Sequence, residues 1–121
     1  AQTCTPCREG TPPMPPEEVV HYLAMIPGWA AAEGDTRIRR TYRFQDFATA
    51  LALVDRIGEV ADEQDHHPDI LLAWGRVEVT LWTHAAGGLT PNDFILAAKV
   101  DQLAQGAPGR RADRRPAGDP A

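Results

Sequence analysis

The sequence predicts an α+β domain of order α-β-β-α-β-β-α, a four-stranded antiparallel sheet with three helices on one face. Three observations lead there. Apolar residues recur at helical spacing in three stretches, two pairs of alternating apolar and polar stretches lie between them, and each pair is joined by a short turn. Strands joined so tightly must run antiparallel, which excludes a doubly wound parallel sheet.

The elements follow in order. Prolines between Thr11 and Pro16 forbid regular structure, after which Val19, Leu23 and Ile26 predict a helix over about 16–26, stopped by Pro27 and Gly28. Trp29 to Ala32 forms a first strand, and Glu33, Gly34 and Asp35 supply turn chemistry. Thr36 to Phe44 pairs with it. There Ile38, Tyr42 and Phe44 share one face and Arg37, Arg39, Thr41 and Arg43 the other, while Arg40 falls among the apolar residues and breaks the pattern.

Asp46 is a good N-cap for a helix running to about Asp65, with Phe47, Ala50, Leu51, Val54, Gly58 and Ala61 as its core stripe. Leu53, Ile57 and Val60 lie partly off that stripe, so the helix is too apolar for one interface and suggests a subunit contact as well. Ile70 to Trp74 and Arg76 to His84 read as two strands joined at Gly75. Gly87 and Gly88 mark a loop. Thr90, Pro91 and Asp93 then combine an N-cap, a first-position proline and a first-turn acid, and Leu96, Val100 and Leu103 face inward from the last helix.

A chain of 121 residues, 43% hydrophobic, holds one core and not two. We divide it into an N-terminal segment, 1–15, expected to be disordered, a domain over 16–104, and an Arg-, Pro- and Gly-rich tail, 105–121, also expected to be disordered. The formal charge is −5, and the tail holds four Arg against two Asp, so the acidity lies in the body. An acidic body argues against nucleic acid as a partner. No run approaches the ~18 apolar residues of a membrane helix and no signal-peptide pattern opens the chain, so the expected location is cytoplasmic. The two cysteines, Cys4 and Cys7, cannot complete a four-ligand zinc site by themselves, although His21 or a second subunit could contribute. In a reducing cytosol they read as thiols of a mobile tail.

Chemistry points instead to histidine. Three of the four histidines, His66, His67 and His84, fall within nineteen residues, with Pro68, Trp74 and Asp93 around them. Imidazole holds or releases a proton near neutral pH. The first two sit where the long helix gives way to the third strand, His84 ends the fourth, and a hairpin makes those ends neighbours, so the three rings can converge. Pro68 biases His67 toward extended backbone and helps hold the pair. Each residue also has a structural reading: a helix-end His stabilises the dipole, a strand-end His is commonly solvated, Asp93 caps its helix, and Trp74 and Trp82 cover apolar surface.

The spacing Asp62, His66-His67-Pro68, Trp74, His84, Asp93 resembles the pterin-4a-carbinolamine dehydratase family, also known as dimerisation cofactors of a homeodomain transcription factor. The likeness runs from Pro16 to about Leu103 and includes Gly28-Trp29, Phe44 to Phe47, Asp65 to Asp69, Leu81 to His84 and Asn92 to Lys99. The opening Cys-Thr-Pro-Cys looks like that of bacterial members. The resemblance implies the same α-β-β-α-β-β-α fold, a homodimer or homotetramer, a pterin substrate, a functional link to an aromatic amino-acid hydroxylase, and no metal or organic cofactor. The implied reaction removes water from a 4a-hydroxytetrahydropterin to give quinonoid dihydropterin.

Such a reaction needs one acid, to protonate the departing hydroxyl, and one base, to take a proton from the neighbouring ring nitrogen. Each is worth roughly 10² to 10⁴ in rate when its pKa lies near the operating pH, as that of imidazole, about 6.5, already does. By the resemblance His66 and His67 match the catalytic pair and His84 the third active-site histidine. Asp65, Trp82 and Thr83 match positions lining the pterin site together with the histidines, and Asp93 and Pro68 support it. Trp82 stands where animal members carry a smaller residue, and Ala85 and Ala86 where they carry a more polar pair. Two rival functions are a non-catalytic binding or assembly partner on the same fold, and a metal site built from His66, His67, His84 and Asp93. Adjacent side chains diverge, which disfavours the metal site.

Overall fold

A computed structural model describes residues 12–105 of the chain. Its elements are α1 (Pro16–Leu23), β1 (Ala30–Ala32), β2 (Arg37–Arg43), α2 (Phe47–Gln64), β3 (Asp69–Ala73), β4 (Arg76–Leu81), a short 3₁₀ helix (His84–Ala86) and α3 (Pro91–Gln105). The order is the expected α-β-β-α-β-β-α. Cys4, Cys7 and the Arg-rich tail from Gly106 onward lie outside the described residues.

All strand pairs are antiparallel, in the spatial order β1-β2-β4-β3. Central β4 sets Leu81 and Val77 opposite Ile38 and Tyr42 of β2, and Val79 and Val77 opposite Ile70 and Leu72 of β3. That face meets Val19 of α1, Ala50, Leu53 and Ile57 of α2, and Leu96, Ala97 and Val100 of α3 in one core. Full burial of each Leu or Ile there contributes roughly 1.5–3 kcal/mol. The other sheet face carries Arg37, Arg39, Glu78 and Thr80, with Arg39 bonded to Thr80 Oγ1 at 2.9 Å and to Glu33 at 3.1 Å.

Four expectations need correction. The core stripe of α2 is Ala50, Leu53, Ile57 and Ala61, whereas Phe47 and Leu51 are 43% and 41% exposed. At 100° per residue this face is rotated by about 60° from the expected one, and only packing against the sheet chooses between two equally periodic stripes. Helix α1 stops at Leu23, and tight Tyr22–Met25 and Leu23–Ile26 turns carry Ile26 into the core beyond it. Strand β4 stops at Leu81, so His84 opens the 3₁₀ helix instead of ending a strand. Trp74, 73% exposed, lies in the β3–β4 turn at the far end of the hairpin from His66.

Arg40, the residue out of pattern, has a partner. Its Nη1 donates to Asp101 Oδ1 of α3 at 3.0 Å and to the Pro27 carbonyl at 3.2 Å. Trp29 Nε1 donates to the same carboxylate at 3.0 and 3.2 Å, and the Tyr42 hydroxyl donates to its Oδ1. Burial, then the hydrogen bond to Asp101, pushes the Tyr42 phenol far above its ordinary pKa. Gly28 serves this cluster: its φ is +104°, and a Cβ there would lie 2.6 Å from the Arg40 guanidinium carbon.

Candidate active site

The end of α2 aims His66. Asp65 closes the helix in the left-handed conformation, φ 52°, a region that Asp tolerates better than most residues and that clusters at functional sites. The His66 amide then bonds back to the Ala61 carbonyl at 3.1 Å, so the chain reverses under the last helical turn before Pro68 leads it into β3. The His66 side chain ends 11% exposed, and that of His67, one residue on, 58% exposed.

Asp93, 0% exposed, receives the His66 ring. Nε2 of His66 lies 2.6 Å from Asp93 Oδ1. The other oxygen, Oδ2, accepts the Thr90 amide at 3.0 Å, while the Asp93 amide returns a bond to the Thr90 carbonyl. This reciprocal arrangement caps the start of α3. The sequence gives Asp93 a capping reading beside a supporting role at the site, and the carboxylate caps α3 with Oδ2 while Oδ1 meets His66. Oδ2 also accepts the Thr83 hydroxyl at 2.8 Å, and Thr83 Oγ1 lies 2.8 Å from Thr90 Oγ1. One buried carboxylate thus joins His66 to the residue preceding His84.

The other rings find other neighbours. His67 Nε2 meets Asp62 Oδ1 at 2.9 Å, with both side chains exposed. His84, exposed, tilts against Trp82 with centroids 4.3 Å apart, and the Arg37 guanidinium lies 4.2 Å from the Trp82 ring centroid. Among the described residues no three His, Cys, Asp or Glu side chains are grouped to hold a metal ion. Trp74 is not drawn in. A cleft of about 500 Å³ opens elsewhere, between α1 and α3, lined by Tyr22, Met25, Ile26, Phe94, Ile95 and Lys99, and contains none of the candidate residues.

Sequence reasoning put Arg37 on the polar sheet face but missed its place over Trp82, which follows from a β2–β4 pairing that local periodicity does not reveal, and it missed the Thr83–Thr90 contact. For the latter a signal existed: a Thr on each side of the Gly87-Gly88 loop, with Thr83 and Gly88 paired in an isolated bridge.

Residues 12–103 match the family described as Pterin 4 alpha carbinolamine dehydratase. A Rubrobacter xylanophilus protein provisionally named pterin-4-alpha-carbinolamine dehydratase is 48% identical over 83% of this chain and 92% of its own length. A Methylococcus capsulatus protein of the same provisional name is 44% identical over 86% of this chain and 91% of its own. Among solved structures, a transcriptional coactivator/pterin dehydratase from Brucella melitensis superposes with a TM-score of 0.73 at 34% identity, covering 76% of this chain and 98% of that one. A pterin dehydratase-like protein identified as a RuBisCO assembly factor in the alpha-carboxysome is similar in fold alone, with a TM-score of 0.58 at 23% identity, covering 69% and 95%.

Proposed function

We infer the reaction from one premise: this chain belongs to the pterin-4a-carbinolamine dehydratase family and is an enzyme of the hydro-lyase class. It removes water from a 4a-hydroxytetrahydropterin, breaking the C4a–O bond as the neighbouring ring nitrogen surrenders its proton, and leaves quinonoid dihydropterin. The observation that carries this reading is the Asp93 carboxylate, which ties His66 to Thr83, the neighbour of His84. Two distant segments thereby border one site.

His66, held by Asp93, donates the proton that turns the hydroxyl into water, and the carboxylate stabilises the imidazolium that precedes transfer. His84, exposed and tilted against Trp82, positions the flat heterocycle and accepts the ring proton. His67 stands beside the reacting centre, with Asp62 orienting its ring. Asp65 and Trp82 border the substrate, and Pro68 fixes the exit from the pair.

The half-exposed Phe47 and Leu51 on the outer face of α2 support assembly into a homodimer or homotetramer. The substrate's chemistry links the protein to a hydroxylase that generates 4a-hydroxypterins. No helix among the described residues is long and apolar enough to cross a membrane, in keeping with a cytoplasmic site of action.

The test is whether purified protein speeds the decay of freshly generated 4a-hydroxytetrahydropterin, and whether His66→Ala and His84→Ala lose that acceleration while remaining folded. Equal decay with and without protein overturns the assignment in favour of a non-catalytic partner.

A further inference from the structure

Two hydroxyls lie on the buried side of the site: that of Thr83, which the resemblance places along the pterin site, and that of Thr90, which has no part in the reaction so far. Both residues are almost fully enclosed, 3% and 4% exposed. Their bonds have a direction. In its carboxylate form Asp93 only accepts, so the 2.8 Å contact from Thr83 spends that hydroxyl's one proton on Asp93 Oδ2. The 2.8 Å contact between the two threonines must then be donated by Thr90. On the other oxygen, His66 must present a protonated Nε2.

We propose that Thr83 and Thr90 are positioning residues: their hydroxyl relay locks the Asp93 carboxylate and so holds His66 as the Nε2–H tautomer, leaving Nδ1 as the nitrogen that exchanges the proton with substrate. This rests on the dehydratase reading and adds to it the identity of the working nitrogen. No described residue bonds Nδ1. The capping amide of Thr90 gives Oδ2 one donor, and a carboxylate held by a single bond there can still turn about it. The Thr83 hydroxyl supplies a second bond from another direction, inside a site with little access for water to substitute. A carboxylate turned by a few tens of degrees would release the imidazole, and small misplacements of a reacting group cost about 10²-fold in rate.

The experiment combines kinetics with nitrogen NMR on the full chain labelled at histidine. Wild-type protein is expected to show neutral His66 as the Nε2–H tautomer. Thr83→Val, which keeps the shape and removes the hydroxyl, should lower kcat by about 10²-fold with KM within about threefold and turn the His66 signals into a tautomer mixture. Thr83→Ser should restore both. A kcat and tautomer spectrum in Thr83→Val indistinguishable from wild type overturn the relay. Should Thr83→Val not fold, wild-type His66 appearing as Nδ1–H overturns it without any variant. An inactive wild-type chain removes the dehydratase reading and the catalytic part of this one with it, whereas normal turnover with the wrong tautomer removes only this one.

Discussion

Asp93 and His66, 27 residues apart, meet at 2.6 Å, so the first turn of α3 belongs to the site as much as the end of α2 does. Replacing Asp93 by Asn puts an amide where a carboxylate receives three donors. We expect kcat to fall by about 10²-fold. Stability should fall by about 1–3 kcal/mol, as at least one of those donors is left unpaired in the interior. Stopped-flow decay of the pterin substrate and urea unfolding of the same sample separate the two effects.

His67 behaves differently. Its bond to Asp62 joins side chains 58% and 81% exposed, the kind of surface pair that adds little. His67→Ala should therefore change unfolding free energy by less than about 0.5 kcal/mol. Any loss of turnover in that variant then reports on chemistry and not on folding.

Asp101 accepts from three donors, those of Arg40, Trp29 and Tyr42. Asp101→Ala leaves Arg40, Trp29 and Tyr42 without their shared acceptor, and we expect a loss of at least ~2 kcal/mol, read as a lower urea midpoint at unchanged slope. Turnover at a temperature where the variant is still folded should be much less affected, since none of these residues borders the histidines.

Tyr42 predicts an alkaline limit. Its folded pKa lies above the value of 10.0 expected in the unfolded chain, so above that pH the unfolded state gives up a proton that the folded state keeps. The contribution is whole below pH 10.0 and is lost as pH rises further, toward the folded value. The stability difference between wild type and Tyr42→Phe should be flat below about pH 9 and shrink above about pH 10. A difference that stays constant to about pH 11 would show that the phenol is not held as described.

What could be read from sequence alone was what is decided within a few residues. The Asp46 cap accepts the Thr49 amide at 2.8 Å, Pro91 opens α3, and Val77, Val79 and Leu81 alternate inward. Longer connections were hidden. Nothing near Arg40 announces Asp101, 61 residues away, and an arginine on an apolar face says only that some carboxylate must come to it. The choice between Leu51 and Leu53 as the inward residue of α2 depends on where the sheet lies. The site was half visible: the histidine spacing marks it, but the joining of His66 to Thr83 through Asp93 needs α3 to be placed.

Helix α3 is pinned twice, at Asp93 and eight residues later at Asp101, to partners on two different parts of the protein. One added residue between them would move the second anchor by 1.5 Å along the axis and swing it through about 100°, away from all three of its donors. Length in this interval should thus be intolerant of insertion or deletion even where side-chain identity is free to drift.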